Sequence, residues 1–152
     1  MKCKSLLSSI LVLTLAFSLC ALPAAAITPE NSVYEVTYFE DGSYLTTEVV
    51  TYASTRAAST RSGHKTATYS NASGVTLWTF TVYGTFTYNG TTSSATKASY
   101  GFNISDSNWS LKSANAYCSG NQAIAEGTFS GGIFTTRNTS VGLSCSPSGV
   151  LS

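Results

Sequence analysis

The sequence predicts an all-β fold: an antiparallel β-sandwich, with immunoglobulin-like architecture or as a partly open barrel, and an N-terminal β-hairpin arm. Three observations predict it. Thr, Val, Tyr, Phe and Trp, which favour strands, dominate the chain after its first segment. Apolar and polar residues alternate with a period of two, and no stretch has the periodicity of a helix. Turn-forming residues recur about every ten residues, as in sandwiches and barrels.

The composition excludes several classes of protein. Only 10% of the residues are charged, against about 25% in an average soluble domain, and the formal net charge is +1. A coiled coil needs more charge, a disordered tail has fewer aromatic residues, and a nucleic-acid binder carries a basic surface. Because the chain has one His, a histidine cluster around a metal is excluded, and no pattern predicts a metal or another cofactor.

Residues 1–26 have the pattern of a secretory signal peptide. Lys2 and Lys4 precede an apolar stretch from Leu6 to Leu22, and small residues follow up to Ala26. We expect cleavage after Ala26 and secretion of a protein that no longer contacts the membrane. An uncleaved membrane anchor and lipidation at a cysteine of the signal are the alternatives.

The mature chain, 27–152, is nearly neutral and rich in hydroxyl groups. Six Lys and Arg face seven Asp and Glu, so the positive charge of the full sequence belongs to the signal peptide. Ser and Thr make up 42 of the 126 residues. We therefore expect hydroxyl groups, and not charges, to cover the surface.

Two cysteines, Cys118 and Cys145, remain in the mature chain. An even pair in an exported protein predicts one disulfide, which stabilises by about 3.5 kcal/mol in the chain-entropy account. Two reduced, buried thiols are the alternative. In a flat three-stranded meander the two Cα atoms would lie about 10 Å apart, whereas a disulfide needs less than about 7 Å. The disulfide therefore requires the last strand to leave that sheet.

The main domain, predicted over 64–152, carries the clearest strand, Val75 to Tyr88. Its even positions are mostly apolar and its odd positions mostly threonine, which predicts one buried and one solvated face. Gly84 predicts a bend, and Asn89-Gly90 predicts a hairpin turn. Further strands are predicted between turns, at Tyr100–Ile104, Trp109–Cys118, Gln122–Phe129 and Ile133–Cys145.

Residues 27–52 form the predicted N-terminal hairpin arm, with Asp41-Gly42 as its turn. A two-residue turn gives the hairpin an apolar face, but it also sets Glu35 opposite Glu48, which is unfavourable. The hairpin is therefore expected to fray there or to use another register.

Residues 53–63, rich in Ala, Ser and Thr, have the composition of a flexible linker. The acids of the N-terminal segment all precede it, and only bases occur between Val49 and Ser105. The hairpin is therefore expected either to dock electrostatically on the main domain or to be a pro-segment removed at Arg56 or Arg61. A loose N-terminal arm is the third interpretation.

Three stretches of the mature chain resemble a known family. YFEDGSYLTTEV (Tyr38 to Val49), GTFTYNG (Gly84 to Gly90) and the stretch from Trp109 to Asn121 are similar to those of small secreted proteins from Gram-positive anaerobic bacteria. That family has no established activity, so it supplies no functional residues. The resemblance covers most of the mature chain and implies an exported bacterial protein.

Few residues could carry out catalysis. His64 is the one imidazole, and no nucleophile motif accompanies it, so we interpret it as an exposed linker or strand-edge residue. Asp106 and Glu126 are the carboxylates of the main domain that a glycoside hydrolase could use, but the turn around Asp106 favours a structural role. We therefore predict no catalytic residue and no enzyme.

Aromatic side chains are the better candidates for binding, because their faces stack on ligands. Trp78 lies on the apolar face of its strand and is predicted to be core, whereas Trp109 and Tyr83 are the predicted ligand-stacking residues. The sequence thus predicts a non-catalytic module whose partner is an extracellular glycan or a surface polymer. A bacteriocin- or toxin-like effector released from a pro-segment is the alternative, and a self-associating surface protein is a third hypothesis.

Overall fold

The structure is a computed structural model that describes residues 34–52, 59–133 and 135–152. Within these ranges the protein is all-β, and its strands form two antiparallel sheets that are not closed into a barrel, which confirms the predicted β-sandwich. The same ranges hold no helix long and apolar enough to cross a membrane. The strands are β1 Tyr34–Tyr38, β2 Tyr44–Thr51, β3 Thr60–Ser70, β4 Thr76–Tyr88, β5 Ser93–Ile104, β6 Trp109–Ser119, β7 Gln122–Gly131 and β8 Thr135–Ser144.

Each sheet is a meander, in which strands adjacent in sequence are hydrogen-bonded neighbours. The larger sheet has the order β1-β2-β3-β4-β5 and the smaller one β6-β7-β8. The predicted turn at Asp106 carries the chain from one sheet to the other, and the Trp109 N–H closes it by donating to the Asp106 carbonyl at 2.9 Å. The protein therefore shares two packed sheets with immunoglobulin domains but not their Greek-key connections.

The core lies between β4 of the larger sheet and β7 of the smaller one. The inward side chains of β4 are the apolar residues that the alternation predicted. Trp78 stacks on Phe129 with ring centroids 3.9 Å apart, and Phe80 meets Phe129 edge-on at 5.7 Å. Burial of one such ring stabilises a protein by about 1.5–3 kcal/mol. This cluster of three rings is therefore the energetic centre of the sandwich.

Two glycines let the core rings approach the backbone. A Cβ on Gly127 would lie 3.0 Å from Cζ of Phe80, and a Cβ on Gly84 would lie 2.7 Å from the ring of Phe86. The β4–β5 pairing also shifts register between Thr85 and Phe86. The irregularity predicted at Gly84 thus occurs directly beside it.

The N-terminal hairpin forms, but in a register one residue away from the one that a two-residue turn would give. Tyr38 pairs with Tyr44, so the connection runs through five residues, from Phe39 to Ser43. Glu35 lies opposite Thr47 in this register, and the unfavourable pairing of two glutamates does not arise. Strand β2 also pairs along its whole length with β3, so the hairpin is continuous with the larger sheet.

A polar network fixes the hairpin loop to the smaller sheet. Arg137 of β8 pairs with the Asp41 carboxylate at 2.5 Å, and its guanidinium lies 5.1 Å from the centroid of the Phe39 ring. Arg137 Nε donates to the Tyr69 hydroxyl at 3.0 Å, and that hydroxyl donates to Ser43 Oγ at 2.9 Å. Electrostatic docking therefore occurs, but its base is Arg137 and not one of the bases in the stretch that the sequence indicated.

The expected linker is shorter than its composition suggested. Strand β3 begins at Thr60, so the last residues of the 53–63 segment belong to the sheet. Arg61 lies opposite Phe86 with a buried Nε, and a protease could cut there only after β3 had left the sheet. Arg56 lies outside the described residues, and processing there stays a prediction.

The expected disulfide between Cys118 and Cys145 is not formed, and both thiols are free. Cys118 pairs with Ala123 of β7, and Ala123 pairs with Leu143 of β8, so the central strand separates the two cysteines. The prediction is wrong for this structure because the last strand stays in the three-stranded meander. Cys118 is an exposed thiol, whereas burial raises the pKa of the Cys145 thiol.

Candidate ligand-binding surface

The outer face of the larger sheet carries rows of hydroxyl groups. Pairing of β3 with β4 sets them side by side: the Oγ1 atoms of Thr66 and Thr81 lie 2.9 Å apart, and Ser62 Oγ lies 3.1 Å from Thr85 Oγ1. The odd positions of β4, predicted to be the solvated ones, belong to this face. The face can therefore donate and accept hydrogen bonds without carrying many charges.

Three rings lie in line within this hydroxyl surface, and we call them the aromatic row: Tyr52, His64 and Tyr83. His64 of β3 and Tyr83 of β4 are register partners, with ring centroids 5.7 Å apart. The ring of Tyr52, which follows β2, lies 5.4 Å from His64. The Tyr52 hydroxyl is 2.7 Å from His64 Nδ1. Sheet pairing thus assembles a continuous aromatic strip from residues distant in sequence.

Tyr83 is the exposed end of the aromatic row. Its side chain leans across β5 over Gly101, where an added Cβ would lie only 3.1 Å from Cε2 of the ring. With 44% of the residue exposed, the side away from Gly101 is open to solvent. The absence of a side chain at position 101 therefore lets the ring lie over the sheet instead of standing away from it. This placement suits the ligand-stacking role that we predict for Tyr83.

His64 is held in its neutral form. Partial burial lowers the pKa of His64 below its ordinary value of 6.5, and the nearby Glu48 carboxylate opposes this by raising the same pKa. In the tautomer with the proton on Nε2, Nδ1 accepts the hydrogen bond of the Tyr52 hydroxyl. The aromatic row therefore presents uncharged rings at neutral pH.

The lowered pKa of His64 predicts a pH dependence of stability. The unfolded chain binds this proton more tightly than the folded one, so protonation favours unfolding. The contribution of neutral His64 to the free energy of unfolding is complete above the ordinary pKa of 6.5 and is lost as the pH falls through the lowered pKa of the folded state. Urea unfolding at several pH values should show this decline in the wild type, and His64→Gln should remove it. Identical pH profiles for the two proteins would contradict the assignment.

The structure places Trp109, the other predicted stacking residue, against the core. Its indole meets Tyr69 edge-on at 5.3 Å and lies 6.3 Å from Trp78. A Cβ on Gly131, its register partner, would lie 2.6 Å from the Trp109 ring. Trp109 therefore covers one end of the sandwich core and does not join Tyr83 in one surface. Trp78 is 1% exposed, and its predicted place in the core is confirmed.

A second polar surface lies on the outer face of the smaller sheet, and sequence reasoning missed it. Asn115, Glu126 and Asn138 line a shallow groove of about 410 Å³. Tyr117, exposed beside it, donates a hydrogen bond from its hydroxyl to Glu126 at 3.1 Å, which raises the pKa of Tyr117. The Thr128 hydroxyl donates a hydrogen bond to Asn138 Oδ1 at 3.0 Å. The alternation of β7 contained the signal, since its polar positions share one face.

The two carboxylates of the main domain do not meet in one site. Asp106 lies in the turn before β6, where its Oδ1 accepts from the backbone N–H and the side-chain amide of Asn108, both at 2.9 Å. Glu126 lies in the middle of β7, opposite Asn115 of β6, and Asp106 does not line its groove. A pair of carboxylates flanking one glycosidic bond is therefore not assembled from these two residues.

Comparisons with protein-family models, with curated proteins and with solved structures found no match to this chain.

Proposed function

We propose that the protein is an exported, non-catalytic module that binds glycans or a related neutral surface polymer through its aromatic row. The observation that carries the proposal is Tyr83, whose ring lies over Gly101 with its other side open. The proposal also rests on the signal-peptide pattern of residues 1–26 and on the resemblance to secreted bacterial proteins.

The chemistry of the surface matches that of a neutral carbohydrate. A sugar ring has an apolar C–H face, which packs on an aromatic face, and a rim of hydroxyl groups, which need hydrogen-bond partners. The aromatic row supplies the apolar contact, and Thr66 and Thr85 border it with hydroxyl groups. Because the rings are neutral, binding requires no charge on the ligand.

Binding to a glycan array and to purified Gram-positive cell wall tests the proposal. We expect the wild type to bind at least one neutral polymer, and Tyr83→Ala to bind it more weakly. Tyr117→Ala is the matched control, because Tyr117 is 39% exposed, close to the 44% of Tyr83, but lies on the other sheet. Absence of binding to both probes, or equal loss in the two variants, would overturn the proposal.

A further inference from the structure

The larger sheet ends in two strands whose outer edges have little to pair with. Among the described residues, β1 pairs only with β2, and β5 pairs only with β4. One backbone hydrogen bond joins β5 to the smaller sheet. At one end of β5, the Ala95 N–H donates to the carbonyl of Gly120, which lies between β6 and β7, at 2.9 Å. Unpaired edge strands are templates for a strand from another chain.

The two edges expose apolar side chains where an edge is normally protected. On β5, Tyr100 and Phe102 lie on the inner face yet remain 40% and 50% exposed. On β1, Val36 and Tyr38 lie on the outer face and are 46% and 74% exposed. A register shift and Lys97 interrupt the first half of β5, but 98–104 contain neither charge nor proline.

The side chains of the two edges match in an antiparallel pairing. Within one copy β1 and β5 run in the same direction, so antiparallel pairing needs the second copy to be rotated by 180° about an axis in the sheet plane and perpendicular to the strands. This rotation brings the outer face of its β1 beside the inner face of β5. With Tyr38 of one copy opposite Tyr100 of the next, Val36 falls opposite Phe102, because alternate residues share a face. Cross-strand pairs of aromatic and β-branched residues stabilise such pairing by about 0.2–1 kcal/mol each.

Charge favours pairing between unlike edges. The β1 edge is acidic, with Glu35 in the strand and Glu40 in the loop that follows, and the β5 edge carries Lys97. In the register above, Glu40 of one copy falls opposite Ala98 of the next, one residue from Lys97. Two β1 edges would bring acids together, whereas pairing β1 with β5 sets an acidic edge beside one that carries a base.

We propose that the protein assembles head to tail, with β1 of one copy added antiparallel to the free edge of β5 of the next. The contact joins two different surfaces, so every added copy leaves one free β1 and one free β5. The product is an open filament in which the smaller sheet alternates from side to side. The proposal does not rest on glycan binding, because it is argued from the two strand edges alone.

Sedimentation of purified protein tests the assembly. We expect the wild-type mass to rise with concentration beyond that of a dimer, and Tyr38→Glu and Phe102→Glu each to stay monomeric with an unchanged far-UV circular dichroism spectrum. Tyr100→Glu replaces Phe102→Glu if the latter fails to fold. Tyr117→Glu, a matched exposed position on β6, should assemble like the wild type.

Mixing the two blocked variants decides the geometry. Tyr38→Glu retains a working β5 edge and Phe102→Glu a working β1 edge, so an equimolar mixture should form a discrete dimer and nothing larger. A wild type that stays monomeric at high concentration, or that stops at a dimer, would overturn the proposal. So would a mixture of the two variants that stays monomeric.

Discussion

Phe129→Ala is expected to lower the free energy of unfolding by about 3–5 kcal/mol, the range measured for large-to-alanine changes in close-packed cores. Phe129 is fully buried, stacks on Trp78 at 3.9 Å and receives the edge of Phe80 at 5.7 Å. Its loss removes the side chain of the smaller sheet that contacts both Trp78 and Phe80 of β4. Small domains have only about 5–15 kcal/mol of stability in total, so the variant should be close to unfolding.

Urea unfolding followed by tryptophan fluorescence measures this effect. Phe102→Ala is the matched control, because Phe102 is half exposed and should cost less than half as much. A Phe129→Ala variant no less stable than Phe102→Ala would show that the cluster of three rings is not the centre of the core.

Tyr83→Ala is expected to weaken binding of the polymer about five- to thirty-fold, which corresponds to about 1–2 kcal/mol for one aromatic contact. Its exposed side lies away from Gly101, so the substitution removes ligand contact without opening the core. Isothermal titration with a soluble fragment of the bound polymer gives the change in affinity. The stability of the variant should stay within about 1 kcal/mol of the wild type, as for most surface changes.

Gly101→Ala offers an independent variant of the same contact. A methyl group at position 101 would lie 3.1 Å from Cε2 of the Tyr83 ring, so the ring must shift by a few tenths of an ångström although it is retained. Weaker binding in this variant would show that the placement of Tyr83, and not only its presence, matters. Unchanged binding in both variants would remove Tyr83 from the site.

The alternation in β4 predicted its buried face, because the inward side chains of a half-buried strand recur with a period of two. The other face is less solvated than predicted, since Leu77 and Thr81 are buried there. The N-terminal register was not predictable in the same way. Asp41-Gly42 indicated a turn, but the Asp41 carboxylate accepts bonds from the Ser43 backbone and hydroxyl and closes a longer loop. The repulsion of Glu35 and Glu48 was the sequence signal that the shorter turn is not used.

Contacts between distant strands account for what the sequence did not predict. Whether Cys118 and Cys145 can meet depends on which strand lies between them, and spacing along the chain does not contain that information. Trp109 has polar neighbours in sequence, yet it packs on Gly131 and Tyr69. The aromatic row likewise depends on the β3–β4 register, since nothing in the local sequence of His64 points to Tyr83.

The nuclear magnetic resonance signals of the His64 ring test the central claim most directly. The chain contains one His, so these signals are unambiguous. Titration with a soluble fragment of the bound polymer should shift the His64 and Tyr83 ring signals together and leave the Asn138 amide of the groove on the smaller sheet unchanged. Shifts at Asn138 with none at His64 would contradict the account and place the ligand in the groove instead.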